Sequence, residues 1–180
     1  RSLISDTNQL LAEGANSEAL DTANQARELS EETLQNVLRE EARASWDEAQ
    51  QMIQIGNRNN LRTREPNIAA NNDELLSQGQ ALRAEADPDY REIIRVSREI
   101  IQNVDTGISS VRLEAERARL TASNKLRELK NENVQRYDPL SLVNVEDTIE
   151  NGDQEFDERN DYISARTQYN EASSLAEIGL

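Results

Sequence analysis

The chain has no cysteine and no histidine among its 180 residues. The first absence excludes disulfides, thiolate metal ligands and a cysteine nucleophile. The second removes the commonest general base and metal ligand, and with it the usual serine–histidine–aspartate triad, however many serines are present. Aromatic residues are nearly missing too, with one Phe, one Trp and four Tyr. No apolar run reaches the roughly 18 residues that a bilayer span needs. The six glycines stand apart, so no Gly-rich loop exists to cradle a phosphate. Positive charge is scarce: 20 Lys and Arg face 35 Asp and Glu, for a net charge of −15. A surface this negative repels phosphate backbones and anionic lipid, so neither nucleic acid nor a membrane is an expected partner.

The chain opens at Arg1 with no initiator Met and no signal-peptide pattern, and stops at Leu180 within what reads as a helix end. A part of something longer is therefore expected. An acidic, Asn-rich, cysteine-free fragment fits an exported bacterial protein, such as a periplasmic one, although composition encodes no address.

What the sequence does contain is helical periodicity. The hydrophobic fraction of 36% is low, which suits thin helical layers joined through Ala, Leu and Ile better than one broad core. Residues 2–13 read as a helix with Leu3, Leu10 and Leu11 on its apolar side. Residues 17–55 hold no Pro or Gly. Their apolar positions, Ala19, Ala23, Ala26, Leu34, Leu38, Ala42, Trp46, Ala49 and Ile53, recur at helical spacing with one polar step at Ser30. This is one helix, or two joined near Glu40. Trp46 falls on the stripe and is expected in the core.

Residues 57–73, NRNNLRTREPNIAANND, lose the period. Pro66 disfavours helix at its predecessor, and the stretch is expected to be an ordered or partly ordered loop. Helix resumes over 73–86, and Asp87-Pro88 suggests a cap followed by the first helical position.

The next segment, 88–133, has the cleanest period in the chain. Ile93, Ser97, Ile100, Val104, Ile108, Val111, Ala115, Ala118, Ala122, Leu126 and Leu129 make ten steps over 36 residues, 3.6 per step. That is a straight α-helix rather than a supercoil. Gly107 is the one candidate break, and continuity is expected because a helical Gly costs only about 1 kcal/mol. Asp138-Pro139 then turns into a short helix over 139–150, Asn151-Gly152 makes a turn, and a final helix covers 154–178. No strand signal persists. The expected fold is all-α and elongated, a single helical-repeat domain over 1–180. Its parts are hairpins over 1–56, the loop 57–73, a short and a long helix over 74–135, and a C-terminal hairpin over 139–180.

Residues 42–56, ARASWDEAQQMIQIG, match residues 165–179, ARTQYNEASSLAEIG, at six of fifteen positions, with Trp46 exchanged for Tyr169 and Met52 for Leu175. Weaker copies begin at Ala86 and Ala122, giving spacings of 44, 36 and 43 residues, the length of a two-helix unit. Leu10 to Ser30, LLAEGANSEALDTANQARELS, supplies a closing Gly14 and then Ala19, Leu20 and Ala26. These stretches resemble the tetratricopeptide repeat, residues 1–14 and the two strong copies its first helix and residues 10–30 its second. The resemblance covers about 60 of the 180 residues and departs from the family's 34-residue period in the middle of the chain. It implies protein or peptide docking in a concave groove and names no ligand.

Sites for chemistry are few. The acidic pairs Glu31-Glu32 and Glu40-Glu41 read as solvated helix faces, because a carboxylate-based glycosidase also needs aromatic walls. Residues 151–157, NGDQEFD, alternate oxygen side chains as calcium loops do, but Phe156 and Tyr162 stand where such a loop needs Gly and a bidentate Glu. No cofactor and no metal are expected. The basic stretch around Arg58, Asn60, Arg62 and Arg64 stands out in so acidic a chain. It is a candidate partner contact, or else its arginines pair with nearby acidic helix faces. The resulting expectation is a non-enzymatic scaffold or adaptor with protein partners, monomeric. The alternatives are self-association through 88–133 and, third, a carboxylate-based hydrolase.

Overall fold

A computed structural model describes residues 2–132, 134 and 138–179. Among them there are helices and no strands: α1 (Leu3–Ala12), α2 (Asn16–Arg58), α3 (Leu61–Arg64), α4 (Pro66–Arg83), α5 (Tyr90–Asn131), α6 (Pro139–Asp153), a π-helical turn (Gln154–Glu158) and α7 (Tyr162–Gly179). The all-α expectation holds.

α5 is the spine. Its 42 residues run unbroken, about 63 Å at the helical rise of about 1.5 Å per residue. Ten of the eleven stripe residues are buried and Leu126 is half-buried. The other helices use this stripe from two directions. α2 runs parallel to the N-terminal half of α5, with Arg39 on Tyr90, Glu41 on Arg98 and Gly56 beside Val104. α7 runs parallel to the C-terminal half, with Arg166 on Glu114 and Gly179 beside Leu129. α4 and α6 run antiparallel to it, as shown by Gln78–Glu92 and Asn72–Asn103 for α4 and by Lys130–Glu146 and Arg119–Asp153 for α6. The result is a three-rod bundle in which one rod is continuous and two are each assembled from two helices.

Two main cores follow from that layout, beside a small third cluster of Ala42, Ile93 and Ile94. The first is built from large residues: Trp46, Leu61, Leu75, Val96, Ile100, Val104, Ile108 and Val111, with Tyr162 at its end. The second is rich in alanine, with Ala118 and Ala122 of α5 facing Ala165, Ala172 and Ala176 of α7 around Leu129, Val145 and Tyr169. Alanine on both faces lets two helix backbones approach closely.

The matched segments 42–56 and 165–179 occupy equivalent places. Each lies parallel to α5 and presses its aromatic residue onto a glycine of a neighbouring helix. Trp46 lies on Gly79 of α4, where an added Cβ would sit 2.0 Å from Cζ3. Tyr169 lies on Gly152 of α6, where it would sit 2.6 Å from Cε1. Trp46 is a core residue, fully buried as expected.

Several local expectations are corrected. Residues 57–73 are not a loop: α2 continues to Arg58, Leu61–Arg64 form a helical turn, and α4 begins at Pro66. Pro66 starts a helix there instead of preventing one, because the first helical position has no use for its missing N–H. The residues 17–55 form one helix. The cap of α5 is Asp89, which accepts from the N–H groups of Arg91 and Glu92, and not Asp87. The helix runs unbroken through Gly107, as expected, and this glycine makes room for Leu61, whose Cδ1 would lie 2.3 Å from an added Cβ. Asn151-Gly152 is helical, and the turn falls instead at 159–161. Gly14 does end α1, with φ of 79° and the paired bonds Gly14 N to Leu11 O and Ala15 N to Leu10 O of a Schellman motif. Asp138 caps α6 through Ser141 N at 3.1 Å.

Candidate interaction surfaces

The tips of the two hairpins, α2–α4 and α6–α7, meet over the middle of α5. Both turns use an asparagine in the left-handed region, Asn60 (φ 54°) and Asn160 (φ 52°), a role Asn fills where Gly is absent. Fully buried Asn59 closes the joint. Its Nδ2 donates to Ile55 O at 2.9 Å and to Asn160 O at 2.8 Å, and its Oδ1 accepts from Tyr162 N at 2.9 Å. One side chain therefore satisfies a carbonyl at the end of α2 and an N–H at the start of α7.

The sequence-nominated residues Arg58, Asn60, Arg62 and Arg64 all lie at or beside this joint. Arg58 Nη1 donates to Arg159 O at 2.6 Å. Asn60 shapes the turn. Arg62 pairs with Asp73 of α4 at 2.9 Å, both side chains being well exposed. Arg64 lies 3.5 Å from Glu114 of α5, and Glu114 also binds Arg166 of α7. All three arginines thus have intramolecular partners; the charges of Arg62 and Arg64 are met by carboxylates, while Arg58 donates to a carbonyl and forms no ion pair. Sequence reasoning picked out the basic stretch and missed Asn59, Glu114 and Arg166, which lie far apart along the chain.

The acidic stretch 151–157 is similarly occupied. Arg119 binds Asp153 at 2.9 Å and Asp157 at 3.0 Å, and its guanidinium lies 5.4 Å from the Phe156 ring centroid. Glu155 pairs with Arg159. Tyr169 donates to Asp153 Oδ1 at 2.7 Å. Burial first, and then that bond, raises the Tyr169 phenol well above its ordinary range, so it remains a protonated donor. Among the described residues no group of three or more acidic side chains is arranged to hold a metal ion.

An apolar surface without a partner lies elsewhere. α1 and the N-terminal half of α2 form a hairpin arm that extends past the bundle. Between Leu20 and Val37 no residue of α2 is buried, and none of α1 is. Leu3 and Ile4 of α1 face Ala26, Leu29, Leu34 and Val37 of α2 across an open apolar groove of about 690 Å³. Ile4 is 70% exposed, Leu29 56% and Val37 58%. Leu29 and Val37 lie off the core stripe of α2. Apolar residues outside the main stripe were the signal of a second face, and the single-stripe reading passed over it.

No protein-family model, curated protein or solved structure matches this chain. The helix arrangement gives no evidence of tetratricopeptide repeats. No helix among the described residues is long and apolar enough to cross a membrane.

Proposed function

We propose that this chain is a non-enzymatic scaffold or adaptor that docks a partner helix in the groove of its α1–α2 arm. The observation that carries the reading is the exposed row Ile4, Leu29, Leu34 and Val37 on an arm with no core of its own. Contiguous apolar surface of this kind marks interaction sites in soluble proteins. The arm is also the hairpin whose turn resembles the tetratricopeptide repeat. An amphipathic helix in a groove is the recognition mode that fits two helices splayed around apolar side chains.

Charge complementarity selects the occupant. Residues 2–38 carry seven acidic side chains, Asp6, Glu13, Glu18, Asp21, Glu28, Glu31 and Glu32, against the single Arg27. A second copy of this arm brings the same sign and is repelled. A helix with a basic flank is attracted and steered. Self-association through 88–133 is the less favoured reading, because the apolar stripe of α5 is used inside the bundle.

The test is fluorescence anisotropy with three labelled peptides: an amphipathic Leu/Lys helix, a scrambled Leu/Lys peptide of equal charge, and a Leu/Glu helix. The amphipathic basic helix is expected to bind saturably and the other two weakly, with Leu29→Glu/Val37→Glu abolishing binding. Equal binding of the scrambled peptide would reduce the effect to bulk charge and defeat the reading. Concentration-dependent dimerisation lost in the same double variant would replace it with self-association.

A further inference from the structure

Most basic side chains of this chain are neutralised by carboxylates, and a small group is not. Among the described residues, Arg39, Arg43, Arg58, Arg83, Arg91, Arg117 and Arg127 form no ion pair. Three of these, Arg39, Arg43 and Arg83, line one open pocket of about 420 Å³ between α2, the end of α4 and the start of α5. Its floor is apolar, formed by Ala42 and Ile93, each 3% exposed. Asp47 is the only carboxylate on its wall, so three positive charges face one negative.

The guanidinium groups are positioned without being neutralised. Arg39 donates from Nε to Tyr90 Oη at 3.0 Å and lies 5.7 Å from that ring's centroid. Arg83 lies 5.2 Å from the Trp46 ring centroid. Aromatic faces orient a guanidinium and leave its charge available. Arg43, one turn from Arg39, has no hydrogen bond or ion pair among the described residues. Like charges four residues apart on a helix are unfavourable, and this pair persists in a chain with 35 carboxylates to choose from.

We propose that this pocket binds a small phosphoryl polyanion. One planar guanidinium fork already satisfies a carboxylate, whereas three forks, two from α2 and one from the end of α4, suit a tetrahedral group with three or more charged oxygens. The ligand is small because the site's field is local: a long polyanion meets the net charge of −15, while a compact one meets the three arginines. The apolar floor accepts an organic body attached to the anion. This site is separate from the arm groove and stands or falls independently of it.

The test is a titration of the full chain with inorganic pyrophosphate at constant ionic strength, followed by calorimetry and by the fluorescence of Trp46. That residue is the sole tryptophan, and Arg83 stacks on it. Saturable binding with a change in tryptophan emission is expected. Arg43→Gln, which removes no internal hydrogen bond or ion pair among the described residues, should weaken it at least tenfold. Arg117→Gln, also unpaired but about 40 Å along α5 from Tyr90, should leave it unchanged. A parallel titration with a phosphoserine peptide identifies the source: tighter binding than pyrophosphate assigns the phosphoryl group to a modified partner, weaker binding to a free metabolite. No saturable binding of pyrophosphate, or equal weakening by Arg43→Gln and Arg117→Gln, would overturn the proposal.

Discussion

The backbone N–H of Tyr162 donates to Oδ1 of Asn59 at 2.9 Å, joining the start of α7 to the end of α2 across 103 positions of sequence. The side-chain Nδ2 of Asn59 in turn donates to Asn160 O and Ile55 O. With Asn59 fully buried, Asn59→Ala removes three hydrogen bonds and leaves a buried donor and acceptor without partners. Each such group costs about 1–3 kcal/mol, so a loss of about 2–6 kcal/mol is expected in urea unfolding. Amide exchange at Tyr162 should accelerate selectively. A loss under about 0.5 kcal/mol, the range of ordinary surface changes, would show that the joint contributes little to the fold.

Trp46 and Gly79 form a second long-range pair, in which the glycine exists for the ring. Gly79→Ala gains about 1 kcal/mol of helix propensity. It also places a Cβ 2.0 Å from Cζ3 of a ring with no exposed surface. Overpacking of this kind costs about 1–3 kcal/mol or more, so net destabilisation is expected. Trp46→Ala alone should cost about 3–5 kcal/mol. In the double variant the clash is absent and the propensity gain survives, so the double variant should be more stable than the sum of the singles. Additive losses in the cycle would mean that the two residues do not press on one another.

The spine was legible because its signal is local and long: ten steps at 3.6 leave little room for another structure. Asp138-Pro139 and Gly14 were legible for the same reason, since a cap and a left-handed turn are set by adjacent residues. The misread stretch 57–73 fails on the opposite ground. Its helices are short, and Leu61 is held by Gly56 and Gly107 from two other places in the chain. Gly107 and Gly152 look like breakers in sequence and are close-approach positions in space. Periodicity cannot distinguish these, because the deciding neighbour lies on another helix. The candidate surfaces were legible only in part. The arginine-rich stretch is visible as composition, whereas the arm groove and the Arg39–Arg43–Arg83 pocket require knowing which faces stay uncovered.

The cap of α6 gives a pH dependence with a definite sign. Asp138 is held below the ordinary carboxylate range, first by the side-chain hydrogen bond from Ser141 and then by Ser141's backbone N–H. A depressed pKa in the folded state means the cap stabilises fully above the unfolded value, about 3.9. That contribution is lost as pH falls through the folded value. Asn caps as well as Asp and does not titrate. Wild type should therefore lose urea midpoint relative to Asp138→Asn as pH is lowered from 7 to 3, and by more than it loses relative to a control Asp21→Asn on the exposed arm. Parallel curves for wild type and Asp138→Asn would show that the bond from Ser141 has no differential effect on folding.

The arm offers the sharpest dynamic contrast in the molecule. Residues 20–37 of α2 bury nothing, whereas α5 buries a residue on nearly every turn from Ile93 to Ala122. Local stability follows buried apolar contact, and an isolated helix of this length is marginal in water. Hydrogen exchange on the full chain should therefore show fast amides over 20–37 and slow ones over 93–122, and size-exclusion with light scattering should give an elongated monomer of about the chain mass of 20.4 kDa. Protection over 20–37 that rises with protein concentration would mean that a second copy covers the groove. Protection that is independent of concentration would mean that α1 covers it more fully than Ile4, Leu29 and Val37 indicate. In either case the groove would not be free, and the docking function would have to be sought on another face. Fast exchange that slows only when the basic amphipathic helix is added is the outcome the docking reading requires, because ordering the arm is then part of what binding does.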